Sequence, residues 1–160
     1  MTRRALLIAA CCVALGCARA PSAGPRVSEA EAQAEVQRRL DQIWDSAAKR
    51  DFARLRSYHL YGPKFTEFKD GAPRGDAASG EQGERAFFSA LSDPKFVVND
   101  LAVNVFGDVA IATFHADFGG TMAAQPIAAK LQATMVFVRD HAEWKLVHEH
   151  FSPLGSPTPR

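Results

Sequence analysis

Beyond position 17 the 160-residue chain contains no cysteine, because its three cysteines, Cys11, Cys12 and Cys17, all lie in the first 17 residues. A domain formed by the rest of the chain therefore has no internal disulfide, no thiolate metal site and no cysteine nucleophile. It must be held together by its hydrophobic core. Hydrophobic residues make up 47% of the chain, an ordinary share for a globular protein. The remaining length is that of one domain.

A strong net charge is also missing. The formal net charge is +1, and setting aside Arg3 and Arg4 leaves 17 basic against 18 acidic residues, a net charge of −1. No basic run alternates with aromatic residues, so no nucleic-acid partner is predicted. The sequence also lacks a glycine-rich phosphate loop, a nucleophile elbow and a zinc-binding helix motif. We therefore predict no cofactor and no metal ion.

Residues 1–17 have the three-part form of an export signal: two arginines, an apolar run over residues 5–15 and a final cysteine. The run is too short to cross a bilayer as a helix. The last four residues, Ala-Leu-Gly-Cys17, resemble a bacterial lipobox, in which lipid is attached to the cysteine. We predict that Cys17 is lipidated and becomes the first residue of the mature chain, followed by a flexible tether over residues 18–27.

The predicted location is the cell envelope. The residue after the cysteine is Ala18 and not an aspartate. In the lipoproteins of bacteria with two membranes that this segment resembles, such a residue favours sorting to the periplasmic face of the outer membrane. Two alternatives stay open. A second lipobox ends at Cys11 after a shorter apolar run, and ordinary cleavage after Ala20 yields a soluble secreted or periplasmic protein.

The first part of the domain, which we place at residues 28–152, has the periodicity of a helix. Ser28 and Glu31 form a capping box at its start. The apolar stripe of an amphipathic helix follows, with Trp44 beside it. The members of this stripe are Val36, Leu40, Ile43 and Ala47.

The segments after this helix are shorter and more polar. A second helix is predicted after Asp51, and a third over residues 84–91. Between them, residues 69–83 are polar and rich in glycine and are expected to form a long surface loop. Such a loop is either a mobile lid over a site or a tolerated insertion. Residues 153–160 are expected to be a disordered tail.

From Phe96 onward apolar and polar residues alternate, which predicts four antiparallel strands. Helices followed by a meander of strands indicate an α+β fold. The last hairpin occupies residues 127–152, and the period-two rule divides its second arm into two faces. One face carries Trp144, Leu146, His148 and His150, and the other carries Lys145, Val147, Glu149 and Phe151. A bulge within this arm would break the rule.

Several of these features resemble the SnoaL-like, nuclear-transport-factor-2-like superfamily. The similarity covers residues 31–152 and includes the amphipathic first helix. Its other elements are Lys49-Arg50-Asp51-Phe52, Phe65 near an early bend, the turn Gly107-Asp108-Val109-Ala110 and the ending Trp-Lys-Leu-Val-His-Glu-His-Phe-Ser152. The resemblance implies a cystatin-like roll, in which a cone-shaped, curved antiparallel sheet wraps around the N-terminal helix. A pocket is expected to open between the sheet and the helix.

The resemblance, combined with side-chain alternation, predicts the pocket residues. The tryptophan of the family's final strand lies near the pocket, which would bring His148 and His150 into it as general base and acid. The other expected pocket residues are Trp44, Tyr58, His59, Phe65, His115, Asp117 and Trp144. The alternative also stays open: the histidines are structural and the aromatic residues form the core. A metal site formed by the histidines and Asp117 is not favoured, because side chains two apart on a strand converge poorly on one ion.

Three functions follow from this interpretation. The leading hypothesis is an exported, lipid-anchored domain whose cone binds a small apolar molecule or a partner protein. The second is an enzyme of the cyclase, isomerase or dehydratase class that uses a pocket histidine. Steroid-isomerase chemistry is not predicted, because the carboxylate pair of that subfamily is missing from the early region and from the third strand. The third is a homodimeric module joined through the outer sheet face at Val147 and Phe151.

Overall fold

The computed structural model describes residues 27–155. These residues form three helices and five strands. The helices are α1 (Glu29–Ala48), α2 (Phe52–Tyr58) and α3 (Ala77–Ala90), and the strands are β1 (Thr66–Lys69), β2 (Leu91–Phe106), β3 (Val109–Met122), β4 (Gln125–Asp140) and β5 (Glu143–Pro153). The predicted signal over residues 1–17, nearly all of the tether and residues 156–160 of the tail lie outside the described residues.

Helix α1 begins where the capping box predicts. The Ser28 N–H donates to Glu31 Oε2 at 2.9 Å, and the Glu31 N–H donates to the Ser28 hydroxyl at 3.3 Å. The predicted apolar stripe is buried, and Ala32 extends it by one turn. This face packs against β2 and also contacts β3 and β5. Helix α1 is therefore the element around which the sheet is arranged.

The sheet has one more strand than the sequence predicts. Strands β2 to β5 form the expected antiparallel meander, and β1 joins its edge parallel to β5, which gives the order β1-β5-β4-β3-β2. Register shifts interrupt the pairing of β2 with β3 twice and the pairing of β4 with β5 once. Such irregularities increase the local twist and bend of a sheet. The α+β architecture with a curved sheet is confirmed.

Helix α3 starts at Ala77, inside the stretch predicted to be a loop. Asp76 caps it, since the Ser79 N–H donates to Asp76 Oδ1 at 2.9 Å. Glycine in this stretch suggested a loop, but Gly80 serves close packing: a Cβ there would lie 2.9 Å from the Phe65 ring. The loop is thus reduced to residues 70–76, and a helix rather than a long lid lies beside β1 and β2.

None of the helices within residues 27–155 combines the length and the apolar character that crossing a membrane requires.

Arg50, in the turn after α1, holds the end of α3. Its guanidinium donates to the carbonyl oxygens of Phe88 at 3.0 Å and Leu91 at 2.6 Å. A hydrogen bond that involves a charged group contributes about 1.5–3 kcal/mol to the free energy of unfolding when it is buried, and less when it is only half-buried. We expect Arg50→Ala to lower the free energy of unfolding in urea by about 2 kcal/mol. Arg38→Ala, an exposed position of α1, should change it by less than about 0.5 kcal/mol. Equal losses in both variants would contradict the role of Arg50.

Candidate functional site

A cavity of about 480 Å³ lies between α1, α3 and the inner face of the sheet. Most of its wall is aromatic or aliphatic. The aromatic members are Trp44, Phe87, Phe88, Phe96, Phe118 and Phe151. The charged members are Glu67, Lys69, Asp70, Glu84 and Glu149. We call this space the cone cavity and the cluster of Glu67, Lys69, Glu84 and Glu149 its polar end.

Two neighbouring strands supply most of the polar end. Side-chain alternation in β1 places Glu67 and Lys69 on the same side as the buried Phe65, and Glu67 is paired in register with Glu149 of β5. The Lys69 ammonium lies 2.9 Å from Glu67 Oε2 and 2.8 Å from Glu149 Oε1. Only 5% of the Glu149 side chain is exposed, against 35% for Lys69. One ammonium group is therefore shared by two carboxylates.

Glu84 reaches the same place from α3. Its side chain is 11% exposed, and the Tyr61 hydroxyl donates to Glu84 Oε2 at 3.2 Å. The other oxygen, Oε1, lies 4.0 Å from Nε2 of His59. His59 Nδ1 is 2.9 Å from the carbonyl oxygen of Leu55. A carbonyl oxygen can only accept, so Nδ1 carries the hydrogen and Nε2 of the neutral ring presents a lone pair to Glu84.

The pKa values of the two buried carboxyl groups, Glu84 and Glu149, are shifted in opposite directions. Burial, reinforced by the charge of Glu149, raises the pKa of Glu84 to about 8. Burial also disfavours ionisation of Glu149, but the nearby Lys69 ammonium outweighs it and holds the pKa of Glu149 below its ordinary value. Burial lowers the pKa of His59, which keeps the imidazole neutral. At neutral pH the polar end therefore contains a protonated Glu84 close to an ionised Glu149.

Trp44 is the predicted pocket residue that the structure places in the wall of the cone cavity. Its ring stacks on Phe96 with centroids 3.5 Å apart. Its Nε1 is buried and has no hydrogen-bond partner among the described residues. His59 lies behind Glu84, and Phe65 packs beneath α3 at Gly80. His59 and Phe65 therefore pack behind the polar end and do not line the cavity itself.

Tyr58 and Trp144 are buried away from the cone cavity. The Arg39 guanidinium lies 4.5 Å from the centroid of the Tyr58 ring. The Trp144 indole N–H donates to Glu35 Oε2 at 3.0 Å. These two aromatic residues, predicted to line the pocket, pack against α1 and its polar partners.

A bulge in β5 changes which side chains enter the cone. Leu146 pairs with Phe137, whereas His148 pairs with Val136, so Val147 is an extra residue on β5. Trp144 and Leu146 point inward as expected, but beyond the bulge Glu149 and Phe151 take the inward positions. The prediction that His148 and His150 share the face of the tryptophan is wrong, because the extra residue reverses the alternation.

The outward histidines belong to the other side of the sheet. His148 Nδ1 lies 2.8 Å from the Thr66 hydroxyl. His150 lines a shallow groove of about 380 Å³ together with His115, Asp100 and polar residues of β4 and β5. His115 Nδ1 is 2.8 Å from Asp100 Oδ2. The groove is a second, polar surface and is separate from the cone.

Asp117 also lies on this outer face, where it pairs with Lys130 at 2.7 Å and accepts from Asn99 at 2.9 Å. Phe151, which we expected on the outer face as part of a dimer contact, lines the cone cavity instead. No group of three His, Cys, Asp or Glu side chains within residues 27–155 has the arrangement of a metal site.

The sequence interpretation missed the four residues of the polar end. For three of them a signal existed: Glu67 and Lys69 alternate with Phe65, and Glu84 is three residues before Phe87, on one helical face. For Glu149 the period-two rule pointed the wrong way. Its inward direction depends on the bulge, which the spacing of apolar residues does not reveal.

Comparison with known proteins agrees with this fold. Residues 36–156 match the model of the SnoaL-like domain family, and none of the curated proteins matches the chain. A dehydratase candidate from the nuclear-transport-factor-2-like family of Streptomyces avermitilis has a TM-score of 0.71 and 21% identity, over 78% of this chain and 97% of its own. A nuclear-transport-factor-2-like superfamily protein from Salmonella enterica has a TM-score of 0.70 and 17% identity, over 79% of this chain and 93% of its own.

A protein with a cystatin-like fold from Caulobacter vibrioides has a TM-score of 0.64 and 12% identity, over 76% of this chain and 89% of its own. At these identities the likeness to the three solved structures concerns the fold alone.

Proposed function

The chain belongs to the SnoaL-like domain family, and on that premise we propose that its cone cavity binds a small molecule with a mainly apolar body and one polar group. The observation that carries this proposal is an aromatic wall that leads to a compact polar end. The volume of about 480 Å³ falls in the range of small-molecule sites. Apolar walls supply affinity through burial, and a few polar groups orient the ligand.

Filling the cavity mouth should abolish binding. Ala129 lines the cone cavity and is exposed to solvent, so a large residue there blocks the space without disturbing the core. We expect Ala129→Trp to weaken binding of the neutral fluorescent probe N-phenyl-1-naphthylamine at least about tenfold. Ala128→Trp is the matched control, because the neighbouring side chain points to the opposite face of β4. Equal affinity in both variants would mean that the probe binds elsewhere.

A second candidate is acid–base catalysis of the dehydratase or isomerase kind. It is supported by Glu84 and Glu149, whose pKa values are pushed apart within one cavity, the usual arrangement of an acid beside a base. The roles first considered for His148 and His150 then fall to these carboxyl groups, because they line the cavity. With a panel of β-hydroxy ketones, turnover in the wild type and a loss of about 10²-fold or more in Glu84→Gln would support catalysis. No turnover in the wild type would leave binding as the function.

We also propose export and attachment to the outer membrane through Cys17. The support is the signal-like pattern of residues 1–17. In a Gram-negative host, Cys17→Ser should leave an unprocessed precursor and remove the lipid label from the protein. Cys11→Ser is the matched control and should leave processing and labelling intact. A normally cleaved, unlabelled product from the wild type would instead support the soluble alternative.

A further inference from the structure

The charged side chains that line the cone cavity are nearly all of one sign. Four are acidic and Lys69 is the only base among the described residues of the wall. Lys69 is already shared by Glu67 and Glu149. Within the described residues no ammonium or guanidinium lies within 4.0 Å of the Glu84 carboxyl group.

The imidazole behind Glu84 does not neutralise it. His59 is only 6% exposed, and its Nε2 has no hydrogen-bond partner within residues 27–155. Because Nδ1 donates to Leu55, Nε2 keeps its lone pair, which faces Glu84 Oε1 at 4.0 Å. When Glu84 loses its proton, its carboxylate faces this lone pair and has no cationic partner among the described residues, which is unfavourable in a buried place. An ionised Glu84 therefore needs a positive group, which can approach it from the cavity side.

We propose that this positive group belongs to the ligand, so that the cone cavity selects molecules with an apolar body and an ammonium group. This inference rests on the proposed function and names its ligand class. The ammonium group lies against Glu84 and Glu149 and takes the place of the proton that Glu84 carries when the cavity is empty. The aromatic residues of the same wall, Trp44 and Phe96 among them, contact the apolar body of the ligand. A carboxylate ligand would meet the acidic groups and is rejected.

Three competitors with one apolar body and different head groups test the proposal. They are trimethyl(4-phenylbutyl)ammonium, 4-phenylbutanol and 4-phenylbutyrate, each used to displace N-phenyl-1-naphthylamine. At pH 8.5, above the pKa of about 8 of Glu84, the cation should displace the probe at about tenfold lower concentration than the alcohol. The carboxylate should require about tenfold more than the alcohol.

Two variants of α3 locate the selectivity. Glu84→Gln should reduce the preference for the cation over the alcohol at least about threefold while the alcohol still competes, which shows that the cavity is intact. Glu81→Gln, whose carboxylate pairs with Arg56 away from the cavity, should keep the wild-type preference. If Glu84→Gln does not fold, Asp70→Asn at the exposed rim replaces it and should also weaken the preference.

The outcomes separate the two proposals. Equal competition by the three compounds, or strongest competition by 4-phenylbutyrate, overturns the cation proposal and leaves the binding function in place. An unchanged preference in both Glu84→Gln and Asp70→Asn overturns it as well. Failure of the probe to bind at all overturns the proposed function itself.

Discussion

Lys69→Met is expected to lower the free energy of unfolding by about 2–3 kcal/mol at neutral pH. The substitution keeps an unbranched apolar stem but leaves Glu67 and Glu149 without their ammonium partner. Removing one member of a buried ion pair costs about 3–5 kcal/mol, because the remaining charge is uncompensated. With 35% of the Lys69 side chain exposed, water replaces part of the lost interaction, so we expect a smaller loss.

The matched control is a surface ion pair of similar length. Lys130 lies 2.7 Å from Asp117, but 72% of its side chain is exposed. Lys130→Met should therefore change stability by less than about 0.5 kcal/mol. Adding Glu149→Gln to Lys69→Met should restore part of the lost stability, because it removes the uncompensated charge. A loss for Lys69→Met no larger than that of the surface control would refute the role of Lys69 as the counter-ion of the polar end.

The effect of Lys69→Met should depend on pH in a defined direction. Although burial opposes its charge, Glu149 and Glu67 raise the pKa of Lys69, so its contribution is present below the unfolded pKa and disappears at strongly alkaline pH. The pKa of Glu149 is lowered, so its contribution is present above the unfolded pKa and disappears in acid. The destabilisation should therefore be largest between about pH 5 and pH 10, and should shrink on acidification.

Glu84→Gln is expected to change the pH dependence of stability more than any other single substitution at the polar end. The folded pKa of about 8 is above the unfolded value of about 4.3. Between these values the folded state binds the extra proton, so the free energy of unfolding of the wild type falls as pH rises and levels off above about pH 8. Glutamine has no proton to lose, and this fall disappears in the variant.

The measurement is the difference in unfolding free energy between Glu84→Gln and wild type from pH 5 to pH 9. It should move in favour of the variant by on the order of 3 kcal/mol across this range. The titratable groups that face Glu84 are present in both proteins and largely cancel in the difference; they are His59, Tyr61, Glu67, Lys69 and Glu149. A difference that stays constant with pH would show that Glu84 is already ionised in the folded protein at neutral pH.

Much of the fold could be predicted because its signals are local. The capping box at Ser28 and the stripe from Val36 to Ala47 describe α1 as the structure shows it. The alternation after Phe96 correctly predicts the meander. Strand β1 was missed because four residues carry too little alternation to indicate a strand, and its pairing partner, β5, lies about 80 residues away in the chain.

The candidate site was predicted less well, because its residues converge from separate elements. Trp44 was recognised from its position beside the stripe of α1. Glu84 and Lys69 become site residues only when α3 and β1 pack against the same end of the cone. A charged residue in a short helix is ordinarily solvated, so the spacing of Glu84 from Phe87 was too weak a signal to place Glu84 in a buried cluster.

The sequence by itself determined the α+β class, the helix at the centre and the meander, because each follows from side-chain spacing along one segment. The tertiary structure decided which side chains of β5 enter the cone cavity. The pairing of β5 with β4 makes Val147 an extra residue, which turns Glu149 and Phe151 into the cone and His148 and His150 out of it. A bulge is a mismatch in the pairing of two strands, so the sequence of one strand alone does not specify where it occurs.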